Sequence, residues 1–135
     1  MSKLLARAKA KRFSAENSYF KISIDDAYID ECCFNLQQAI EFSLKYLVEM
    51  CGERYIENHD IRAQMNKLKS LNKFIPCENE LRMMASTLNS WEVETRYNDN
   101  FVALLEDIDT AREIADKVIK FAIVSLPMIS ELVCW

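Results

Sequence analysis

Glycine and proline are nearly absent from this chain, whose 135 residues include one Gly and two Pro. Sheets need tight turns, and those turns depend on Gly, Pro and Asn-Gly or Asp-Gly pairs. A sandwich or barrel of this length with a single Gly is therefore excluded. Half of the residues are apolar, enough to bury a core. We predict an all-α protein: a single antiparallel bundle of four to five helices over residues 1–135, with its core at about 4–122.

Charge is distributed unevenly along the chain. The net charge is −4, but the first 12 residues carry five basic and no acidic side chains, which leaves 12 basic and 21 acidic side chains in the rest. An acidic body argues against an extended nucleic-acid surface, whereas the basic end leaves room for a local phosphate contact. The alternative is that this end is the solvated face of a first helix.

The cysteines indicate a reduced, cytoplasmic protein. There are five, an odd number with no Cys-x-x-Cys pair, and one His. This set has no zinc spacing, so we predict no metal and no cofactor. The adjacent Cys32 and Cys33 are interpreted as small core residues. The chain shows neither the apolar segment of a signal peptide nor an apolar run of about 18 residues, so we expect no export and no membrane span.

Apolar periodicity predicts two helices in the first half of the chain. The first covers 3–20, and 21–24 is a connection or a helix end. The second starts at Asp25 or Asp26 as cap and stops at Gly52. The loosely apolar face of the first helix comprises Leu4, Leu5, Ala8 and Phe13. The main stripe of the second comprises Ile29, Cys33, Leu36, Ile40 and Leu47.

Three further helices follow. Asn58 or Asp60 caps the third, and the fourth runs over about 78–96. Asp107 or Asp109 starts the fifth. The pattern predicts two long helices around short central ones.

The third helix should end by Pro76, and Pro127 should kink or stop the fifth. The apolar tail over 127–135 is expected to pack back on the bundle or to meet a partner.

His59 is the only histidine, so neutral-pH acid–base chemistry depends on it. Arg54 precedes it with a spacer of four residues. The guanidinium of Arg54 can hold a phosphate. Together they supply the minimum for metal-free RNA cleavage, a group that moves the 2′-hydroxyl proton and a cation for the phosphorane charge. The alternative is a capping or loop role for His59 and an ion pair of Arg54 with Glu53 or Glu57.

Two further groups of residues are candidates for binding. Arg96 and Tyr97, at the end of the fourth helix, can stack a base or grip a phosphate. Alternatively, Arg96 compensates the helix C-terminus and Tyr97 fills the end of the bundle. Gln37, Glu41 and Lys45 share one stripe of the second helix by i, i+4 spacing, as a structural polar seam or a partner surface.

These residues resemble those of the HEPN domain family (higher eukaryotes and prokaryotes nucleotide-binding). Residues 33–47, CFNLQQAIEFSLKYL, are similar to the glutamine–glutamate–lysine helix of the family. His59-Asp60-Ile61 is similar to its His-Asp helix start, and Arg96-Tyr97 resembles its Arg-Tyr turn. The resemblance covers about residues 4–122.

The resemblance implies a small helical bundle that is usually a symmetric homodimer. Many such proteins work with a minimal nucleotidyltransferase partner in toxin–antitoxin or defence systems. Others are metal-independent ribonucleases with an Arg and a His at the spacing of Arg54 and His59. Asp60 and Lys45 join Arg96 and Tyr97 as the nucleotide- or RNA-binding residues that the resemblance implies.

Three functions follow from this set of residues. The first is a nucleotide- or RNA-binding module that acts with a nucleotidyltransferase. The second, and the enzyme activity to expect if there is one, is a metal-independent RNA endonuclease that uses Arg54 and His59 across a homodimer. The third is a purely structural or interaction bundle.

Overall fold

Residues 2–125 are described by a computed structural model, in which five α-helices and no strand are formed. The helices are α1 (Leu4–Tyr19), α2 (Ala27–Met50), α3 (Ile61–Ser70), α4 (Glu78–Tyr97) and α5 (Leu105–Val124). The prediction of an all-α bundle is confirmed. The predicted break at Pro127 and the apolar tail over 127–135 lie outside the described residues.

Helix α1 runs antiparallel to both α5 and α2, as the pairing of their side chains shows. Arg12 of α1 contacts Asp116 of α5, and one turn later in α1 Glu16 contacts Arg112, one turn earlier in α5. The same reversal relates α1 to α2, because Ala8 lies in a cluster with Ala39 whereas Lys11 contacts Phe34. Helices α2 and α5, which also pack against each other, therefore run in the same direction, opposite to α1.

The central helix is α2, which contacts all four other helices. Its predicted stripe is buried: Cys33, Leu36, Ile40 and Leu47 have no exposed surface, and Ile29 is partly buried. Because neighbours cover α2 on several sides, it also buries polar residues. These include Asn35, Gln37, Gln38, Glu41, Ser43 and Lys45.

The observed helix ends agree with the predicted ones at the positions where the sequence offers a capping residue. The Asp60 carboxylate accepts a hydrogen bond from the backbone N–H of Arg62 at 2.9 Å, so Asp60 is the N-cap of α3. Asp25 accepts one from the backbone N–H of Ala27 at 2.9 Å at the start of α2. Gly52 follows α2 with a φ of 78°, a left-handed conformation that favours Gly.

Three expectations about the helices were wrong. α5 begins at Leu105 and not at Asp107 or Asp109, because Asp107 and Glu106 occupy its first turn, where acidic side chains offset the helix dipole. Phe13 is 70% exposed and not on a buried face. The prediction of two long helices around short central ones was wrong as well, since four helices have 16 to 24 residues and only α3, with 10 residues, is short. No helix within residues 2–125 is long and apolar enough to cross a membrane.

A network of charges joins α1 to α5 around Glu16. Arg112 donates two hydrogen bonds to the Glu16 carboxylate, at 2.7 and 3.0 Å, and Arg12 donates one at 2.9 Å. The bonds from Arg112, and then from Arg12, hold the pKa of Glu16 at about 2, below its ordinary value of 4.5. The ionised form is therefore favoured in the folded chain.

We expect Glu16→Gln to weaken the pH dependence of stability between pH 4.5 and 2. The pKa of Glu16 is lower in the folded chain than in the unfolded chain, so the unfolded state binds more protons in this range. The stabilisation is present above pH 4.5 and is lost as the pH falls towards 2. Because a third of this side chain is exposed, we expect the substitution to cost only about 1 kcal/mol at pH 7.

Urea unfolding between pH 2 and 7 measures this effect. Glu57→Gln is the control, since Glu57 is exposed and forms no ion pair with a described residue. A Glu16→Gln profile that coincides with those of the wild type and the control would show that the network contributes nothing to acid stability.

Candidate functional site

The carboxylate of Glu41 lies in the interior of the bundle with no exposed surface. Its Oε1 accepts a hydrogen bond from Gln37 Nε2 at 2.8 Å, and its Oε2 accepts one from Lys45 Nζ at 3.0 Å. Gln38 Nε2 extends the row by donating to Gln37 Oε1 at 2.9 Å. The polar stripe of α2 is therefore an internal row of hydrogen bonds. Of the two interpretations of this stripe, the structure agrees with a structural polar seam and not with an exposed partner surface.

Lys45 is almost as deeply buried as Glu41. Its side chain is 9% exposed, and its ammonium lies 4.9 Å from the centroid of the Tyr55 ring. A buried charge is tolerated when it is paired and hydrogen-bonded. Lys45 therefore compensates Glu41, and a nucleotide contact by Lys45 stays a prediction.

His59 is positioned by the same carboxylate. Its Nδ1 lies 3.1 Å from Glu41 Oε1 and 3.2 Å from Oε2, while 60% of its side chain is exposed. A carboxylate only accepts hydrogen bonds, so the contact assigns a proton to Nδ1. In the neutral ring Nε2 is then the nitrogen that can accept a proton, and it lies 3.9 Å from Glu92 Oε1.

The loop between α2 and α3, which carries His59, is held by polar contacts. Gln64, fully buried, donates from Nε2 to the Ile56 carbonyl at 2.6 Å and accepts from the Ile56 N–H at 3.3 Å. The Asp60 Oδ1 that caps α3 also accepts from Asn89 Nδ2 of α4 at 2.9 Å. These contacts give Asp60 a capping role, and its contact with a nucleotide stays a prediction.

Arg96 joins the site through Glu92. Its Nη2 donates to Glu92 Oε1, and its Nε donates to the Glu92 carbonyl at 2.8 Å. Its guanidinium lies 5.6 Å from the Phe34 ring and 5.1 Å from the Tyr97 ring. Tyr97 is 74% exposed, so it does not fill the end of the bundle.

Arg54 lies apart from this cluster. It is exposed, and it forms no ion pair or side-chain hydrogen bond with any residue of the described range 2–125. It lines an open cleft of about 450 Å³ together with Glu49, Glu53, Tyr55 and Glu57. Neither of the predicted ion pairs, with Glu53 or with Glu57, is formed.

The structure thus connects His59, Lys45 and Arg96 through two buried carboxylates, Glu41 and Glu92. It does not join Arg54 to His59 by a contact within one chain. The spacing of Arg54 and His59 in the sequence suggested that they act together. In the structure, the cations linked to His59 are Lys45, through Glu41, and Arg96, through Glu92.

Sequence reasoning did not identify Glu92 and Gln64 as site residues, and it treated Glu41 only as part of a stripe. Glu41 had a usable signal, since a charged residue between Ile40 and Phe42 in a strongly apolar helix is expected to be buried and paired. Glu92 had only its i, i+4 spacing to Arg96, which is common on exposed helix faces.

The described residues include no group of three or more His, Cys, Asp or Glu side chains arranged to hold a metal ion. Cys32 and Cys33 have no exposed surface, as predicted for core residues, and burial raises the pKa of the Cys32 thiol to about 11. The groups at or near the site are the His59 imidazole, which is 60% exposed, the exposed Arg54, Arg96 paired with Glu92, and the exposed Tyr97. This set suits proton transfer and phosphate binding.

The fold and the site define an all-helical module with an imidazole held by a buried carboxylate at the junction of α2, α3 and α4. The model of the HEPN domain family matches residues 1–126. The chain therefore belongs to the HEPN domain family, a class of helical modules related to nucleotides and RNA, and the resemblance seen in the sequence is confirmed. No curated protein and no solved structure matches the chain.

Proposed function

We propose that this chain binds RNA and cleaves it without a metal ion, with His59 as the proton-transfer group. One observation carries the proposal: the buried Glu41 carboxylate holds Nδ1 of His59, while 60% of the side chain is exposed and Nε2 has no hydrogen-bond partner among the described residues. A carboxylate that orients an imidazole in this way sets the tautomer needed for a general base.

The reaction is a transesterification. Nε2 of His59 takes the proton of a ribose 2′-hydroxyl, the 2′-oxygen forms a bond to phosphorus, and the bond from phosphorus to the 5′-oxygen breaks. The leaving 5′-oxygen takes a proton from water, and the hydroxide that remains takes the proton back from His59, which restores the neutral imidazole. The products are a 2′,3′-cyclic phosphate and a 5′-hydroxyl. A cation near the phosphate stabilises the charge that develops on its oxygens.

Arg54 supplies that cation across a homodimer. It is exposed and lacks an ion-pair partner among the described residues, so its guanidinium is available to a phosphate held by a second copy. Arg96 and Tyr97 bind the RNA beside His59 in the same chain. A wild type that is monomeric at micromolar concentration while it cleaves RNA would contradict the composite site.

RNA cleavage in excess EDTA tests the proposal, with the wild type beside His59→Ala. We expect the wild type to cleave under chelation and to leave 2′,3′-cyclic phosphate ends, and His59→Ala to lose this activity because the base is absent. Glu106→Gln, an exposed substitution on α5 outside the proposed site, is the control and should cleave as the wild type does. Cleavage that needs a divalent cation, or that survives in His59→Ala, would contradict the proposal.

The second candidate function is the binding of a minimal nucleotidyltransferase. The observation in its favour is an apolar surface between α1 and α5, where Phe13 (70% exposed) and Ile123 (39% exposed) lie over the buried Ile119 and are flanked by Lys9 and Lys120. Exposed apolar patches with a charged rim are typical of protein contacts. If RNA is not cleaved, stable co-purification with the nucleotidyltransferase of a neighbouring gene would favour this function. Loss of that complex in Phe13→Asp would assign it to this surface.

A further inference from the structure

An apolar cleft of about 280 Å³ opens beside the end of α5. It is lined by Phe121 and Val124, by Pro76 from the loop before α4, and by Lys117 and Lys120. Val124 is 55% exposed, and Phe121 is only partly buried against the core. An apolar cleft at the surface marks a place where other apolar groups bind.

Lysines surround this cleft. Lys117 and Lys120 line it, and Lys73 Nζ lies 5.1 Å from the centroid of the Phe121 ring. Lys117 is paired with Glu80 at 3.6 Å, whereas Lys73 and Lys120 form no ion pair within residues 2–125. None of the described residues that line the cleft is acidic. The cleft therefore favours an occupant with apolar side chains and a negative charge.

The chain carries a segment of this composition directly after α5. Residues 126–135, LPMISELVCW, include one charged residue, Glu131. Seven of the ten are apolar: Leu126, Met128, Ile129, Leu132, Val133, Cys134 and Trp135. Their sequence, which lies outside the described residues, matches the cleft in both properties.

The segment is long enough to reach the cleft and is attached beside it. Val124 lines the cleft, and Lys117 lies seven residues earlier in α5, about 10 Å along the helix axis. Ten residues span up to about 33 Å when extended. Pro127 lacks the N–H that a continued α5 needs, so the chain is expected to change direction there. The attachment gives the segment an effective concentration of about 1 mM at the cleft, which a second chain at micromolar concentration does not reach.

We infer that residues 126–135 bind in this cleft of their own chain. The apolar side chains, including the indole of Trp135, pack against Phe121 and Val124, and Glu131 lies among the lysines. The inference does not depend on the proposed ribonuclease activity, because His59 does not line the cleft. His59→Ala should therefore bind its own segment as the wild type does.

Acrylamide quenching of Trp135 fluorescence tests the inference in the full chain. The signal of Trp135 is the difference between the wild type and Trp135→Phe, since the other tryptophan, Trp91, is 2% exposed and is present in both. We expect a quenching constant at least about threefold lower than that of free N-acetyltryptophanamide, because apolar surface shields the bound indole from the quencher. A constant equal to that of the free compound would overturn the inference.

Val124→Asp should release the segment, because it places a carboxylate in the apolar cleft. We expect the quenching constant of Trp135 to rise about threefold. Ile123→Asp is the matched control: Ile123 is the neighbouring residue of α5 and is 39% exposed, but it lines the surface that includes Phe13 and Asp116. Its effect should stay below about 1.3-fold. Circular dichroism establishes that both variants are folded, and an effect of Ile123→Asp that equals or exceeds that of Val124→Asp would overturn the inference.

Glu131→Lys tests the contribution of the lysines. Repulsion from Lys73 and Lys120 replaces attraction, so we expect the quenching constant of Trp135 to rise about twofold at low salt. This difference should vanish in 1 M NaCl, where screening acts over about 3 Å. A constant that is unchanged at low salt would contradict the placement of Glu131 among the lysines.

Mixing chains separates binding within one chain from binding to a second copy. In Val124→Asp, Trp135 can be shielded only by the intact cleft of another chain. We therefore refold Val124→Asp from urea together with an about tenfold excess of Trp135→Phe, so that most Val124→Asp copies meet an intact cleft. We expect the quenching constant to stay at the value of Val124→Asp alone. Restored shielding would assign the segment to the cleft of a second copy and overturn the inference.

Discussion

Mixed dimers of Arg54→Ala and His59→Ala copies are expected to cleave RNA at about half the wild-type rate, because one of two symmetric sites is complete. Each variant alone is expected to be at least about 100-fold slower than the wild type, since one lacks the cation and the other the base. In the mixed dimer, the Arg54→Ala copy provides His59, and the His59→Ala copy provides Arg54.

The physical reason is that Arg54 makes no hydrogen bond or ion pair with His59 or with its carboxylates within one chain. Glu41 holds His59 in the site between α2 and α4. Arg54 lines a different, open cleft and forms no ion pair with the carboxylates that line it. In the homodimer that we propose, a twofold axis places each Arg54 beside the His59 of the other copy and forms two equivalent sites.

Co-expression with two affinity tags gives purified mixed dimers, and the initial rate of cleavage in EDTA is the measurement. Mixed dimers of the wild type with His59→Ala serve as the positive control and should also reach about half the wild-type rate, with one site intact. Inactive mixed dimers of the two variants, beside an active control, would show that Arg54 and His59 act within one chain.

We expect Glu41→Gln to lower the free energy of unfolding by about 3 kcal/mol, the largest loss of stability among single changes at the site. The substitution leaves the Lys45 ammonium buried, with 9% of its side chain exposed, and without a counter-charge. The introduced glutamine side chain would still fill the same space, so the loss reflects the charge and not a cavity. Urea unfolding at pH 7 measures it.

A double-mutant cycle assigns this loss to the ion pair. Glu41→Gln combined with Lys45→Met removes both charges, and replacement of a buried pair by uncharged groups is often nearly neutral. We therefore expect the double variant to be about 2 kcal/mol more stable than Glu41→Gln alone. Glu53→Gln, at an exposed position, should change stability by less than about 0.5 kcal/mol. Additive effects of the two substitutions would contradict the assignment.

Much of the fold was predictable from local properties of the sequence. The lack of Gly and Pro excludes sheet turns, and the stripe that includes Leu36 and Ile40 has the period of a helix with a buried face. Asp60 was predictable as a cap, because a short acidic side chain before an apolar helix satisfies free N–H groups. The start of α5 was not, because Leu104 precedes it and has no capping side chain.

The site was predictable only in part. His59 and Arg96 stood out by residue type and position, and both lie beside buried carboxylates. The pairing of Arg54 with His59 within one chain could not be judged from spacing, because residues five apart in a loop have no fixed relative direction.

The sequence by itself determined that this chain is all-helical, which helix faces are apolar, where α3 is capped, and that it belongs to the HEPN family. These properties depend on neighbours within a few residues, or on a linear motif, so they can be read along the chain. Only the tertiary structure decided that Glu41 is buried, that it holds His59 and Lys45, and that Arg96 shares Glu92 with the imidazole. Burial and charge pairing depend on which helices pack together, and packing brings together residues that lie far apart in the sequence.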